Sequence, residues 1–185
     1  GIIFPTVLPP EKIEYVMDTH LNKVFYNTVF YLTDKDKINY YRYQAIAGLL
    51  PDIQNKYYEN AETVSKSLAG IMKNQLVKRL ESSFFAFKKS LKNFLNATNR
   101  MIDMFAANKI FIAPDTDINK LLDNGWSESQ IEQEIERLSE NNPKNQTFKA
   151  EDFDPEFLVH LQKDSELLAE LVEDWDTITK DPKLE

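Results

Sequence analysis

Cysteine is absent from this 185-residue chain. That excludes a disulfide framework, a thiolate zinc site and a cysteine nucleophile, and it fits a reducing compartment, here expected to be the cytoplasm. Glycine is scarce, with four residues against eight prolines, which argues against a β-sandwich and against a Gly-rich phosphate loop. Neither GxxxxGK[ST] nor GxGxxG occurs, so neither phosphate-cradling loop is present. The two histidines, His20 and His160, stand far apart without an HExxH motif, and His160 is read as a structural or surface residue. No apolar run approaches the roughly 18 residues of a membrane-spanning helix. The opening GIIFPTVLPP lacks the basic and apolar regions of a signal peptide. Beginning at Gly1 rather than Met, the chain is expected to be a piece of a longer protein.

What is present is a mainly α pattern in a chain long enough to bury one core. IIF and Lys12 to Asp18 read as short extended segments, separated by Pro5 and the Pro9-Pro10 pair. From Leu21 the period turns helical through Val24, Phe25, Thr28, Val29 and Leu32. Asp34 or Asp36 is expected to cap a second helix, KINYYRYQAIA, ending at Gly48, and residues 51–60 are expected to form a loop. One or two long helices follow over about 61–107. Leu76, Leu80, Phe84, Phe87, Leu91, Phe94, Thr98, Met101 and Phe105 advance there in steps of three and four as one stripe. Gly70 is the weakest point of that run, because glycine costs ~1 kcal/mol against alanine inside a helix. KIFIA, from Lys109, is β-prone and stops at Pro114. DINKLLDNG reads as a short helix closed by Gly125. Ser127 to Gln130 matches a capping box opening the next helix. NNPKNQ reads as a solvated linker. Asp154 then caps a last helix with Pro155 at its first position.

Charge is distributed unevenly along this pattern. Residues 65–109 carry 9 basic and 2 acidic side chains, a net +7, whereas residues 110–185 carry 7 basic and 20 acidic, a net −13. On a helical wheel Lys78, Lys89 and Lys92 project opposite the apolar stripe, while Arg79, Ser83 and Ser90 border it. Two readings stand at this point. The basic helix either pairs with the acidic C-terminal helices or offers its charge to a nucleic-acid backbone. Asp115, Asp117 and Asn119 begin like a calcium loop. The pattern then fails, because Lys120 stands where glycine is needed and Trp126 where the bidentate glutamate belongs. With no catalytic constellation in view, the chain is expected not to be a complete enzyme.

LVKRLESSFFAFKKSL resembles a motif of bacterial Swi/Snf-like helicases of superfamily 2, carried here by Lys78, Arg79, Glu81, Ser82, Ser83, Ala86, Phe87 and Ser90. FPTVLPPEKIEYVMD is similar to the segment leaving the first RecA-like lobe in that family, and DPKLE to the start of the second. The resemblance is specific at 78–90, moderate at both ends and weak across 110–180. It implies residues 1–18 as an extended segment, 19–180 as a helical inter-lobe domain and 181–185 as the start of the second ATPase lobe. It also implies a parent ATP-dependent DNA helicase or translocase whose ATP and magnesium are held outside this fragment. No catalytic, cofactor-binding or metal residue is therefore assigned. The implied partners are the two lobes and DNA, with no membrane. Expected contacts to nucleic acid are Lys78, Arg79, Lys88, Lys89 and Lys92, with Ser82 and Ser83 donating to phosphate. Arg79, Glu81 and Ser83 could instead dock the helix internally. The alternative to the whole reading is a free-standing acidic helical protein-interaction module.

Overall fold

The structure, a computed structural model, describes residues 16–183, and it is mainly α-helical. The helices are α1 (Thr19–Thr33), α2 (Pro51–Tyr57), α3 (Ala61–Ser82), α4 (Phe84–Ala106), α5 (Ile118–Asp123), α6 (Glu128–Ser139) and α7 (Pro155–Asp176). Strands β1 (Ile110–Ile112) and β2 (Gln146–Phe148) pair antiparallel, with Ile110 opposite Phe148. No helix among the described residues is long and apolar enough to cross a membrane. The extended segments expected at the N-terminus lie outside the described residues up to position 15. Asp18 then caps α1 by accepting from the Leu21 N–H at 2.8 Å.

All nine residues of the long apolar stripe are buried, from Leu76 to Phe105. The run is nevertheless two helices, and it breaks at Ser83 rather than at Gly70. Ser83 is extended (φ −156°, ψ 123°) and its Oγ accepts from the Ala86 N–H, so it ends α3 and caps α4. A serine hydroxyl that satisfies an orphan N–H of a new helix stabilises such a break. Gly70 stays within α3, and a Cβ added there would meet nothing within 4 Å. Gly70→Ala is therefore expected to raise stability by roughly 0.5–1 kcal/mol, read as a higher urea midpoint at unchanged slope. A lower midpoint would show that this turn of α3 needs glycine.

Trp175 organises the larger part of the core, where α1, α3, α4 and α7 meet. Its ring centroid lies 5.0 Å from that of Phe84 and 5.1 Å from that of Phe87. Its Nε1–H donates to Thr28 Oγ1 at 2.8 Å, and Thr28 donates onward to the Val24 carbonyl at 2.7 Å. A second part of the core joins the C-terminal end of α4 to the small sheet and the start of α7 through Met101, Phe105, Ile110, Phe148, Phe153 and Phe157. Helix α6 covers Phe111 and Ile118 with Ile131 and Ile135, behind the capping box formed by Ser127 and Gln130.

Three expectations are corrected. No α-helix forms over 37–47; only a 3-10 turn, Tyr41–Gln44, occurs there. Tyr40 is left-handed (φ 61°), and the Asn39 and Tyr41 N–H groups donate at 2.8 and 2.7 Å to the Asp164 carboxylate of α7. Neither N–H is thus left to a helix, and the cap comes from a distant residue rather than Asp34 or Asp36. Residues 51–60 are not simply a loop, because Pro51 starts α2, consistent with its fixed φ at a first helical position. NNPKNQ is tied down: Asn142 and Asn145 both donate to the Asp115 carboxylate, at 2.9 and 2.7 Å, and Gln146 begins β2. The Asn145 amide, ahead of Asn142, holds the Asp115 carboxyl below the usual carboxylate range.

Candidate functional site: the α3–α4 junction

The residues that carry the motif stand at the turn between α3 and α4, and that turn is held by the C-terminal segment of the described chain. The Lys183 ammonium donates to the carbonyls of Leu80 and Glu81, at 2.6 and 2.7 Å. The Asp181 carboxylate accepts from the Phe84 N–H at 2.9 Å. A cation therefore meets the last carbonyls of α3, and an anion meets the first N–H of α4. Each charge complements the helix terminus it faces and satisfies backbone groups the helices leave unpaired. Lys183 also lies 4.2 Å from the centre of the Phe84 ring. Its partial desolvation, outweighing Asp181 and Glu81, holds its pKa below the ordinary lysine value.

The same corner gathers the N-terminal end of α1. The His20 ring nitrogen Nε2 is 2.8 Å from Thr177 Oγ1, beyond the end of α7. Met17 and Ile178 both pack on the Trp175 part of the core. The start of α1 and the segment after α7 thus lie side by side, and that segment continues to the corner built from the motif.

The seven expected contact residues divide into distinct roles. Lys78 and Lys89 are exposed on α3 and α4, and no hydrogen bond or ion pair engages either ammonium among the described residues. Lys88 donates to the Ile178 carbonyl at 2.9 Å, and Lys92 pairs with Asp176 at 2.8 Å. That second pair is half exposed on both sides and so adds little stability. It does hold the Asp176 carboxyl below its ordinary range, mainly through the Lys92 hydrogen bond. Ser82 Oγ faces back to the Arg79 carbonyl, and Ser83 is the helix cap. Arg79 turns away from the lysines and donates across the hairpin to Ser90 Oγ, which itself donates to the Ala86 carbonyl. Asp181 and Lys183 are the residues that sequence reading missed in this role. A charged pair flanking Pro182 was their only local signal.

On α4 the exposed side opposite the core carries Phe85, Lys89, Lys92 and Asn96 at successive turns. Phe85 is 74% exposed. This strip is cationic at its N-terminal end, and its chemistry suits a polyanion.

No family model, no curated protein and no solved structure matches the chain. The functional reading rests on the geometry and on the residues of the motif.

Proposed function

We propose that this chain is a non-catalytic helical connector between the two RecA-like lobes of an ATP-dependent DNA helicase or translocase, with Lys78, Lys89 and Lys92 offered to a nucleic-acid backbone. One observation carries the proposal: the start of α1 lies beside the segment after α7, and that segment holds the corner formed by the motif residues. A module placed between two lobes needs its incoming and outgoing strands at one corner, so that the helical body projects without separating the lobes. The clamp of Asp181 and Lys183 on the α3–α4 turn would give such a joint a fixed direction. In motors of this kind, groups from both lobes meet around the nucleotide, and a rigid joint influences that geometry without touching ATP. ATP and magnesium would be held by the lobes.

Fluorescence anisotropy with a labelled DNA oligonucleotide tests the contact. Binding is expected at low salt and is expected to weaken as salt rises, with a slope of roughly 0.7–0.9 per phosphate neutralised. The triple change Lys78→Glu, Lys89→Glu and Lys92→Glu should abolish it while the fold persists, since all three side chains are exposed. No binding at low salt would remove the nucleic-acid contact. The connector itself is tested by reading the gene on either side of this segment for ATPase motifs. Their absence upstream or downstream overturns the reading, as does ATP hydrolysis by the chain alone.

A further inference from the structure

Helices α3 and α4 run back antiparallel, since Arg79 near the end of α3 reaches Ser90 near the start of α4. Between them lies an open groove, closed along one side by the Tyr41–Gln44 turn and the segment leading into α5. It has two continuous halves of about 730 and 420 Å³ that share Arg42, Tyr43, Ala97, Asp117 and Asn119. Both helical walls change character at the same height. Where the N-terminal part of α3 faces the C-terminal part of α4, the walls are apolar: Val64 and Leu68 against Ala97, Met101 and Met104. Towards the turn they become polar: Gln75 and Arg79 against Ser90, Asn93 and Asn96. Antiparallel packing superimposes the two gradients, which neither helix reveals alone.

Two of the three guanidiniums at the polar end are not neutralised by a carboxylate among the described residues. Arg100 is held by Asp123 at 2.5 Å and by the Asn119 carbonyl at 3.1 Å. Arg42 and Arg79 have no carboxylate partner among the described residues, Arg42 resting against the Tyr43 ring. The apolar half carries three carboxylates, Glu59, Asp115 and Asp117, and its cations are Arg42 and Lys144. Asp115 accepts from Asn142 and Asn145, and Asp117, shared with the polar half, caps α5. An anionic group would therefore be drawn to the turn end, where three guanidiniums and three amides stand against two carboxylates, Asp123 paired with Arg100 and Asp117 engaged as the α5 cap.

The rim of the apolar half decides the kind of occupant. Val64, Leu68 and Ile71 lie along one side of α3 and are 43%, 43% and 52% exposed. A small ligand sunk in the groove leaves that rim wet. An extended or helical peptide covers it, and the wall from Val64 to Arg79 is roughly 22 Å long at about 1.5 Å per residue, the reach of about seven extended residues. We propose that the groove between α3 and α4 is a docking site for a peptide segment bearing apolar side chains followed by acidic residues. The apolar side chains enter between Leu68 and Met101, and the carboxylates meet Arg42 and Arg79. This inference is independent of the connector reading, and either can fail alone.

The probe is a fluorescein-labelled synthetic peptide of twelve residues with three leucines at helical spacing and two aspartates at one end. A twin carries lysines in place of the aspartates. The aspartate peptide is expected to bind saturably and at least tenfold more tightly than its twin, with amide shift changes in a ¹⁵N spectrum confined to the groove walls. The pair Arg42→Glu and Arg79→Glu should reverse that preference, so that the lysine peptide binds better. Leu68→Glu should abolish binding of both, and because Leu68 is half exposed its thermal midpoint should match that of the parent chain. Equal binding of the two peptides overturns the proposal, as does binding insensitive to Leu68→Glu. Groove shifts produced by oleate but by neither peptide would also overturn it, assigning the groove to a small anionic amphiphile.

Discussion

Replacing Trp175 by alanine is expected to destabilise the fold by about 3–5 kcal/mol, the range for removing a buried aromatic ring. Trp175 is 1% exposed and packs against two rings, Phe84 and Phe87, on the buried face of the α4 start. Its removal leaves a cavity between α1, α4 and α7 that neighbours fixed by their own helices cannot fill. The loss is a large part of the ~5–15 kcal/mol that holds a typical domain together. Thr28 is spared as an orphan, since its hydroxyl still donates to Val24. Trp175→Phe should therefore cost far less, because it keeps most of the ring volume and gives up one hydrogen bond worth about 1 kcal/mol. Urea unfolding followed by circular dichroism reads both. A Trp175→Ala midpoint close to that of the parent would show that α7 does not depend on this ring.

Asp164→Ala is the second large effect, at about 3 kcal/mol, because it leaves the Asn39 and Tyr41 N–H groups without acceptors. The carboxylate is 2% exposed and holds the left-handed corner at Tyr40 in place from a different helix. Tyr40 in turn donates its hydroxyl to the Leu32 carbonyl at 3.0 Å and stacks on Phe94. The damage should spread from the corner to α1 and α4. Asp164→Asn keeps one acceptor and should fall between.

The pH dependence has a definite sign. Burial pushes the Asp164 carboxyl above its ordinary 3.8, outweighing the backbone N–H groups of Asn39, Tyr41 and Tyr40 and the nearby His160, which pull it down. The folded state therefore holds this proton more tightly than the unfolded chain does. The contribution of the group is complete below the unfolded value and declines as pH rises through the folded one. The stability gap between the parent chain and Asp164→Ala should narrow from acid towards neutral pH. A gap that widens over that window would contradict the assignment of burial as the dominant cause.

How much was legible varied by residue. The stripe from Leu76 to Phe105 was readable throughout, because burial on one side of a helix imposes a period that survives any tertiary arrangement. The break inside it was not. The apolar spacing continues through Ser82 and Ser83 without a step out of phase, since a chain that reverses there keeps both helices facing the same core. Gly70 looked weaker on propensity alone, yet a helix interrupts where a cap and two docking charges are supplied. The failed second helix has the same origin: its N–H groups go to Asp164, more than a hundred residues away, and no local pattern carries that information. The excess of basic residues around 65–109 was plain. Which of them face solvent, which pair with Asp176 and which turn into the groove was open.

By itself the sequence determined the helical class, the buried stripe, the caps at Asp154 and Ser127 and the segregation of charge, because each follows from local spacing or composition. Only the tertiary structure decided that the start of α1 lies beside the segment after α7, that Asp181 and Lys183 clamp the α3–α4 turn, and that two helical gradients coincide to make a groove. These are relations between residues distant in the chain, and packing in three dimensions brings them together.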